Sequence, residues 1–421
     1  MKRIVAALLL GSMFFAMVGC AGDQNEVGKP SEQLSATVGE GSRGASVELL
    51  SAMQAQPVSS QPSDESFCHA VNSFSLSLLQ NSYMNGESCL VSPYSVYLAL
   101  SMAANGAKGE TLQQMQQLLG LPVEELNPYM LALQQNRGEG LLSANSVWLH
   151  EKLPVEEAFL QSLANYYSAQ VYSSPFGEET LQDMNTWISE QTKGRIQDAL
   201  DRMNPNAMMY LINALSFDGT WQEIYTTDQL AQGSFHGSEG QEPAQMMTAM
   251  EKWYLEDENG RGFLKDYEGG QYSFMALLPK EGMSLSEYLS TLTAESLQQT
   301  LTQAVSTSVS VSMPKFEMNS SLELQEILSK MGMVDAFTKD ANFAGIESKQ
   351  ELYISRVLHK TSLSVDEAGT QAGAVTIEEF TTKGFHIQQY EPVVLDRPFL
   401  MGIYDKTNQC FLFLGTVESL G

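Results

Sequence analysis

The chain is poor in cations and in the side chains that bind metals. Its 421 residues include 23 Lys and Arg against 50 Asp and Glu, a formal net charge of -27, and only five histidines. Because binding to phosphates requires clustered cations, this balance argues against a nucleic-acid partner. No HExxH, CxxC or GxSxG spacing is present, so the sequence contains no motif for a metal, a redox pair, a cofactor or a hydrolase nucleophile. A catalytic triad assembled from distant residues stays open, because triads are recognised by geometry.

Long apolar stretches are absent after the N-terminus, so the sequence predicts no membrane-spanning helix in the body of the chain. Segment 1–19 combines a charged start with an apolar core, which is typical of an export signal peptide. It leads into Met17-Val18-Gly19-Cys20, which resembles the lipobox of bacterial lipoproteins. We therefore predict lipidation at Cys20 and a bacterial protein that is exported and anchored to a membrane, at its periplasmic face or at the cell surface. A plain secretory signal with an incidental cysteine is the alternative.

Segment 20–62 is rich in Ser, Gly, Gln and Glu and lacks periodic apolar residues. We predict that it is a flexible tether between the lipid and a folded domain over 63–421. Three cysteines lie in that domain, Cys68, Cys89 and Cys410. An odd number cannot all pair within one chain, so the sequence predicts either buried free thiols or one disulfide and one thiol.

Hydrophobic periodicity divides the domain into helices and strands. Apolar residues at helical spacing predict a helix that begins near Ser63, and the apolar run 89–91 predicts a buried strand. The glycine-rich stretch 105–111 lacks the spacing of a phosphate-binding loop, and Thr111 is predicted to cap the helix that follows. Later segments alternate in the manner of strands, and 411–415 predicts a buried C-terminal strand.

Several segments resemble, in collinear order, the signatures of the serpin family. They read SPYSVYLALSMAANGAKGETLQQMQQLLG (92–120), ANSVW (144–148), MNTWISEQTKGRI (184–196), LINALSFDGTW (211–221) and RPF (397–399). The resemblance spans about residues 63–421. It implies an α+β serpin fold with three β-sheets, about eight or nine helices and an exposed reactive-centre loop.

The segment 366–376, DEAGTQAGAVT, resembles the hinge of a serpin reactive-centre loop. Small and β-branched side chains alternate along it with the period of a strand. The resemblance implies that the hinge enters an existing sheet as a new strand. The hinge residues are Glu367, Gly369, Thr370, Ala372, Gly373, Ala374 and Thr376. The whole loop is predicted to span about 367–392, and 369–376 contains no proline, charge or bulky side chain that would slow strand addition.

The resemblance also implies two clusters of side chains at the large sheet. The first, which we call the shutter, lies under its centre and consists of Ser92, Ser95, Asn213 and His359. The second, which we call the gate, lies at its top and consists of Trp221, Lys315 and Glu367, with the two charges paired. From the residues alone, solvated charges and a tryptophan in the core are equally compatible with the gate positions.

The resemblance implies a suicide-substrate inhibitor of serine, and some cysteine, endopeptidases, and not an enzyme. The protease would attack the loop, form an acyl-enzyme and be trapped in a 1:1 covalent complex with a monomeric inhibitor. Counting from Glu367 in the family register puts the reactive bond at Lys383-Gly384, which suits a trypsin-like pocket with an acid at its base. Alternative cleavage positions are Phe380, Thr382 and Phe385. The alternative function is a non-inhibitory binding or structural lipoprotein whose loop is cleaved as a simple substrate.

Overall fold

The structure is a computed structural model that describes residues 43–51, 53–194, 196–197, 199–204, 207–348, 352–370 and 390–420, with the backbone alone at 213, 214 and 358. The predicted signal peptide, Cys20 and the larger part of the predicted loop lie outside the described residues.

Nine α-helices form within the described residues. They are α1 (Glu65–Ser82), α2 (Pro93–Ala104), α3 (Gly109–Leu119), α4 (Val123–Gln135), α5 (Glu157–Tyr166), α6 (Glu178–Gln191), α7 (Leu285–Thr291), α8 (Ala294–Thr302) and α9 (Leu324–Lys330). Local sequence explains the first starts, since Asp64 caps α1 by accepting from the Phe67 N–H at 3.0 Å, and Ser92 caps α2. No helix in this part of the chain combines the length and the apolar composition that crossing a bilayer requires.

The strands form three sheets. They are β1 (Val47–Glu48), β2 (Cys89–Val91), β3 (Leu141–His150), β4 (Gln170–Ser174), β5 (Met209–Phe217), β6 (Gly219–Thr220), β7 (Leu230–Gly237), β8 (Gly240–Glu256), β9 (Gly260–Asp266), β10 (Tyr272–Pro279), β11 (Val305–Pro314), β12 (Phe316–Glu323), β13 (Leu358–Val365), β14 (Gly369–Thr370), β15 (Val393–Val394), β16 (Phe399–Asp405) and β17 (Cys410–Val417). A nine-stranded sheet has the order β15-β11-β8-β9-β10-β16-β17-β2, with β7 paired to β8. Two four-stranded sheets have the orders β1-β4-β3-β5 and β12-β13-β14-β6. The helices and three sheets of the described chain confirm the predicted α+β architecture.

The core is centred where α1 and α2 pack against β17. The predicted apolar stripe of α1 is buried, with Phe67, Val71 and Leu78 each at most 1% exposed. Strands β10 and β17 are buried along their whole length, which is why the sequence shows them as apolar runs.

All three cysteines of the domain are buried and free, so the first of the two predicted arrangements is confirmed. Burial raises the pKa of Cys68 to about 11 and that of Cys89 to about 12. These thiols are therefore protonated at neutral pH and react poorly as nucleophiles.

The family resemblance predicts one large sheet. In the structure this sheet is divided between β5 and β13 into the two four-stranded sheets. The two strands run side by side, but no β-ladder joins them in the described residues. Strand β5 pairs with β3 on its far side, and β13 pairs with β12. Among the residues that the structure describes, strand pairing joins the halves at one end, through β14 and through β6, which follows β5 in the chain. We call this junction the mouth of the divided sheet.

The structure corrects the predicted tether, because residues 43–51 pack on the domain. Strand β1 pairs with β4, and the Leu49 N–H donates to the Val171 carbonyl at 2.6 Å. The Ser46 hydroxyl donates to Asp183 Oδ2 at 2.6 Å. Backbone and polar contacts hold this segment together with the packing of Leu49 and Leu50 on the core, and two adjacent leucines give no hydrophobic periodicity in the sequence.

The prediction that Thr111 caps a helix is wrong. Helix α3 begins at Gly109, and Thr111 lies inside it with 1% exposure. Its hydroxyl accepts a hydrogen bond from the Asn342 N–H at 2.9 Å. A tertiary contact to a distant loop thus outweighs the local preference of threonine for a cap position.

Candidate functional site at the mouth of the divided sheet

The chain leaves β13 in a tight turn that returns it to the sheet. Asp366 Oδ1 accepts hydrogen bonds from the N–H groups of Ala368 (2.8 Å) and Gly369 (3.1 Å), as aspartates commonly do in turns. The Asp366 N–H donates to the Gly369 carbonyl at 2.9 Å. Strands β13 and β14 therefore form a hairpin. The predicted loop, about 367–392, thus begins in turn and strand conformation, which extends through Thr370.

Strand β14 occupies the mouth, between β13 and β6. Thr370 pairs with Val365 on one side and with Gly219 on the other, and Gly369 pairs with Thr220. A Cβ atom at Gly369 would lie 2.0 Å from the carbonyl oxygen of Gly219. Only glycine allows this close approach of two backbones.

The turn is held by the segment that follows β6. Trp221 donates twice, from its backbone N–H to the Ala368 carbonyl (2.9 Å) and from Nε1 to the Asp366 carbonyl (2.8 Å). The Tyr225 N–H donates to the Glu367 carbonyl at 2.9 Å. Three successive carbonyls of the turn accept from this one segment, so its position sets the position of the hinge.

Thr370 is fully buried next to two stacked aromatic rings. Its hydroxyl lies 2.5 Å from the hydroxyl of Tyr267. The Tyr267 ring stacks on Trp221 with the ring centroids 4.5 Å apart, and burial raises the pKa of Tyr267, so the phenol is neutral. A larger or charged side chain at position 370 has no space here.

The predicted gate residues lie together around the turn. Lys315 and Glu367 form an ion pair, with side chains 23% and 41% exposed. The hydrogen bond from Lys315 lowers the pKa of the Glu367 carboxyl. Trp221 lies at the same place, with both of its N–H groups on the turn.

The described shutter residues meet beneath β13. His359 is buried, and its Nε2 accepts a hydrogen bond from the backbone N–H of Ser92 at 2.9 Å. Burial lowers the pKa of His359 to about 4, so the imidazole is neutral and carries its proton on Nδ1. The Ser92 hydroxyl donates to the Leu412 carbonyl (2.7 Å) and accepts from the Ser95 N–H (3.3 Å). His359 thus bonds to the backbone of Ser92 and not to its hydroxyl, and the two do not form a nucleophile-base pair.

The far end of the predicted loop returns to the described structure at Tyr390. The Tyr390 ring lies against Tyr254 with centroids 4.5 Å apart, and Glu391 forms an ion pair with Arg261. Strand β15 then pairs in parallel with β11 over two residues. The attachment is thus made of side chains and a very short strand.

Some of the predicted site residues lie outside the residues that the structure describes. Other residues contribute to the site although the sequence did not predict them. The side chain of Asn213 is not described, nor are Ala372, Gly373, Ala374, Thr376, Lys383 and Gly384. Residues that the sequence analysis missed are Asp366, as the turn former, Tyr225, Tyr267 and Thr361, whose hydroxyl donates to the Leu90 carbonyl at 3.0 Å. An aspartate before Glu-Ala-Gly is a turn signal, so Asp366 could have been predicted from the sequence. Thr361 could have been predicted as well, because it shares a strand face with His359. No group of three His, Cys, Asp or Glu side chains in the described chain is arranged to hold a metal ion.

Comparisons with known proteins agree with this geometry. The family model described as Serpin (serine protease inhibitor) matches residues 69–420. The chain is 30% identical over 361 residues to an uncharacterized serpin-like protein of Thermococcus kodakarensis, across 82% of this chain and 84% of that protein. It is 30% identical over 351 residues to the leukocyte elastase inhibitor of Bos taurus, across 78% and 92% of the two chains. The crystal structure of a thermophilic serpin, tengpin, in the native state matches with a TM-score of 0.84 and 38% identity, over 89% of this chain and all of that one. By sequence and by fold, the chain belongs to the serpin family.

Proposed function

We propose that this serpin is a suicide-substrate inhibitor of serine endopeptidases, and of some cysteine endopeptidases, that traps its target as a covalent acyl-enzyme. The observation that carries the proposal is the hairpin at the mouth, where Gly369 and Thr370 already pair with β13 and β6. Beyond them, β5 and β13 lie side by side without a ladder in the described residues. Open strand edges are templates for strand addition, of which serpin loop insertion is itself a known example.

The register of β14 predicts where the rest of the hinge would go. Continued along β13, it pairs Thr376 with His359, and continued along β6 and β5, it pairs Thr376 with Asn213. Insertion would therefore bring the Thr376 hydroxyl to the shutter, where a buried polar group needs a partner. The residues between Thr370 and Thr376 are small or lack charge, as a strand that enters a packed sheet requires.

The chemistry that we propose is acyl transfer at Lys383-Gly384. The protease hydroxyl attacks the Lys383 carbonyl carbon, its proton passes through the protease base to the amine of Gly384, and the peptide bond breaks as an ester bond forms. Insertion then moves the ester-linked protease before water hydrolyses the ester. The sixteen residue steps from Glu367 to Lys383 extend on the order of 50 Å at about 3.3 Å each, which is comparable to the length of a domain.

We also propose that acyl chains on Cys20 hold the inhibitor at a bacterial membrane. Support comes from the lipobox-like sequence and from where the packed domain begins. Residues 21–42 separate Cys20 from the first described residue, and a flexible chain of this length spans roughly 25 Å. This distance would let the loop meet a protease in the surrounding solution.

The function is tested with trypsin and the full chain in a mild detergent. The two are mixed at near-equimolar ratio, denatured and separated on a gel, and the released C-terminal peptide is weighed by mass spectrometry. We expect a denaturant-resistant band at the summed mass and a peptide that begins at Gly384. Trypsin with its catalytic serine blocked should give no band.

Two variants identify the reactive bond. Lys383→Ala should abolish the band with trypsin, whereas Lys339→Ala, at an exposed lysine outside the predicted loop, should retain it. A peptide that begins after Phe380, Thr382 or Phe385 would assign the bond to one of these positions. Complete cleavage without any band, for trypsin-like, chymotrypsin-like and elastase-like proteases alike, would overturn the inhibitory function.

A further inference from the structure

A buried ion pair lies beneath the segment that holds the hinge. Lys265 Nζ on β9 and Glu251 Oε1 on β8 are 2.7 Å apart, and their side chains are 3% and 9% exposed. The Tyr225 hydroxyl donates to the same carboxylate oxygen at 3.3 Å. The pair is therefore connected to a residue whose N–H binds the turn.

The ammonium group of Lys265 also faces two aromatic rings. Its Nζ lies 4.3 Å from the ring centroid of Tyr225 and 5.5 Å from that of Trp221, within the range of cation–π attraction. Trp221 and Tyr225 are the residues that donate to the three carbonyls of the turn. One buried cation thus contacts both supports of the hinge.

Stability alone does not account for a charged pair at this place. Removing two charges from water is unfavourable, and apolar side chains of similar volume often give equal or greater stability. A cation–π contact depends on where the charge lies relative to the ring faces, so an apolar replacement would remove it. The pair supplies a directional contact that an apolar core would lack.

We propose that Glu251 and Lys265 are positioning residues for loop insertion. Glu251 fixes the ammonium group, and the ammonium group fixes the rings of Trp221 and Tyr225. These two residues in turn keep β14 in the mouth, so insertion starts from a strand that is already formed. The inference rests on the proposed function, because its consequence is the partition of the acyl-enzyme between trapping and hydrolysis.

The test compares two double variants, each of which removes one ion pair, in the full chain in a mild detergent. Lys265→Met with Glu251→Leu removes the buried pair and keeps its volume. Lys252→Met with Glu223→Gln removes a neighbouring pair whose side chains are 60% and 63% exposed, and it is the matched control. The readouts are hydrogen exchange of the amides in 221–225, the stoichiometry of inhibition of trypsin, and the thermal midpoint.

For the buried-pair variant we expect exchange of these amides to be about tenfold faster, because they lose their fixed acceptors. Its stoichiometry of inhibition should rise about threefold, which is the size of a typical cation–π contribution. The thermal midpoint should not fall, and the exposed-pair control should match the wild type. Wild-type exchange and stoichiometry in the buried-pair variant would overturn the proposal, and so would equal changes in both variants.

A fallback variant and a readout that needs no protease allow the experiment to decide the role of the ion pair. If the double variant does not fold, Glu251→Gln, which keeps the shape and the hydrogen-bond acceptor but removes the charge, is expected to change exchange in the same direction. Hydrogen exchange is measured without a protease. A wild-type chain that traps no protease would therefore contradict the proposed function, while exchange in 221–225 would still decide the role of the ion pair.

Discussion

The two ends of the segment 371–389 are held by contacts of different kinds. The proximal end, 365–370, is a hairpin in the mouth of the sheet, where the position of Gly369 excludes any side chain and Thr370 is fully buried. The distal end, 390–395, is held by one ring contact, one ion pair, a parallel strand of two residues and the buried side chains of Val393 and Leu395. The end that would enter the sheet is therefore sterically fitted to it, whereas the other end serves as an attachment.

This difference implies that substitutions of the same chemistry have unequal consequences at the two ends. Proximal changes act on backbone pairing and on buried groups, which tolerate little. Changes at the exposed distal side chains, Glu391 and Val394, act on contacts whose individual contributions are small.

Thr370→Arg is expected to have the largest effect. Burying an unpaired charge beside Tyr267 costs several kcal/mol, so β14 cannot form, and the stoichiometry of inhibition should rise roughly tenfold or more as hydrolysis outruns insertion. The measurement is a titration of the inhibitor against a fixed amount of trypsin. Val394→Arg places the same side chain at the distal end, where Val394 is 38% exposed, and should stay within about twofold of the wild type. Equal effects of the two substitutions would contradict the comparison.

Acid is expected to lower the free energy of unfolding through His359, which lies on β13, the strand that leads to the proximal end. Its pKa is about 4 in the folded chain against 6.5 in an unperturbed one. The unfolded chain therefore binds the additional proton between these values, and the stabilisation that is complete above pH 6.5 is lost as the pH falls toward 4. Between about pH 6.5 and 5 the loss in the free energy of unfolding is about 2 kcal/mol.

Thermal midpoints of the wild type and two variants at neutral pH and at about pH 5 measure this effect. His359→Gln should narrow the difference between the two pH values, since the side chain no longer titrates. His236→Gln, at an exposed histidine, should leave it unchanged. An unaltered pH difference in His359→Gln would show that other groups are responsible.

Tyr390→Leu is expected to loosen only the distal end. Loss of the ring contact with Tyr254 should weaken that attachment by about 1 kcal/mol, seen as faster hydrogen exchange in 390–395. The stoichiometry of inhibition should not change. Tyr353→Leu, at a tyrosine that is 41% exposed, is the matched control. A large rise in stoichiometry for Tyr390→Leu would give the distal end a direct part in insertion.

The smallest effect is expected at the gate pair. Glu367 is 41% exposed, so Glu367→Gln should lower the free energy of unfolding by about 1 kcal/mol or less at low salt and by nothing measurable at about 1 M salt. A double-mutant cycle with Lys315→Gln measures the coupling between the two side chains. A coupling well above about 1 kcal/mol would mean that the pair is more than a surface contact.

The sequence predicts the features of this fold that depend on local pattern. The stripe of α1 and the apolar runs of β10 and β17 follow from periodicity, and the glycine at 369 and the small residues of the hinge follow from a family pattern. Features that depend on which strands pack or pair with one another could not be predicted from the sequence. Lys265 lies on β9 and Tyr267 directly follows that strand, both distant in sequence from the turn they support, and nothing near them in the chain indicates that role.

The early pairing of β14 is the clearest case. Periodicity shows that residues 369–376 are suitable for a strand, but a strand forms only where partners are available. The partners here are the end of β13 and the two residues of β6, and their separation is fixed by the packing of Trp221 on Tyr267. Periodicity therefore could not predict that Gly369 and Thr370 are already paired in the sheet.

If the chain is anchored through Cys20, as we propose, strand β1 has a consequence for copies that share one membrane. Within the described residues, β4 without β1 would end its sheet with free N–H and C=O groups, and such an edge is a template for aggregation between molecules. Anchored copies would be confined to two dimensions and would collide far more often than copies in solution. Because β1 covers part of this edge, such crowding need not lead to intermolecular β-assembly.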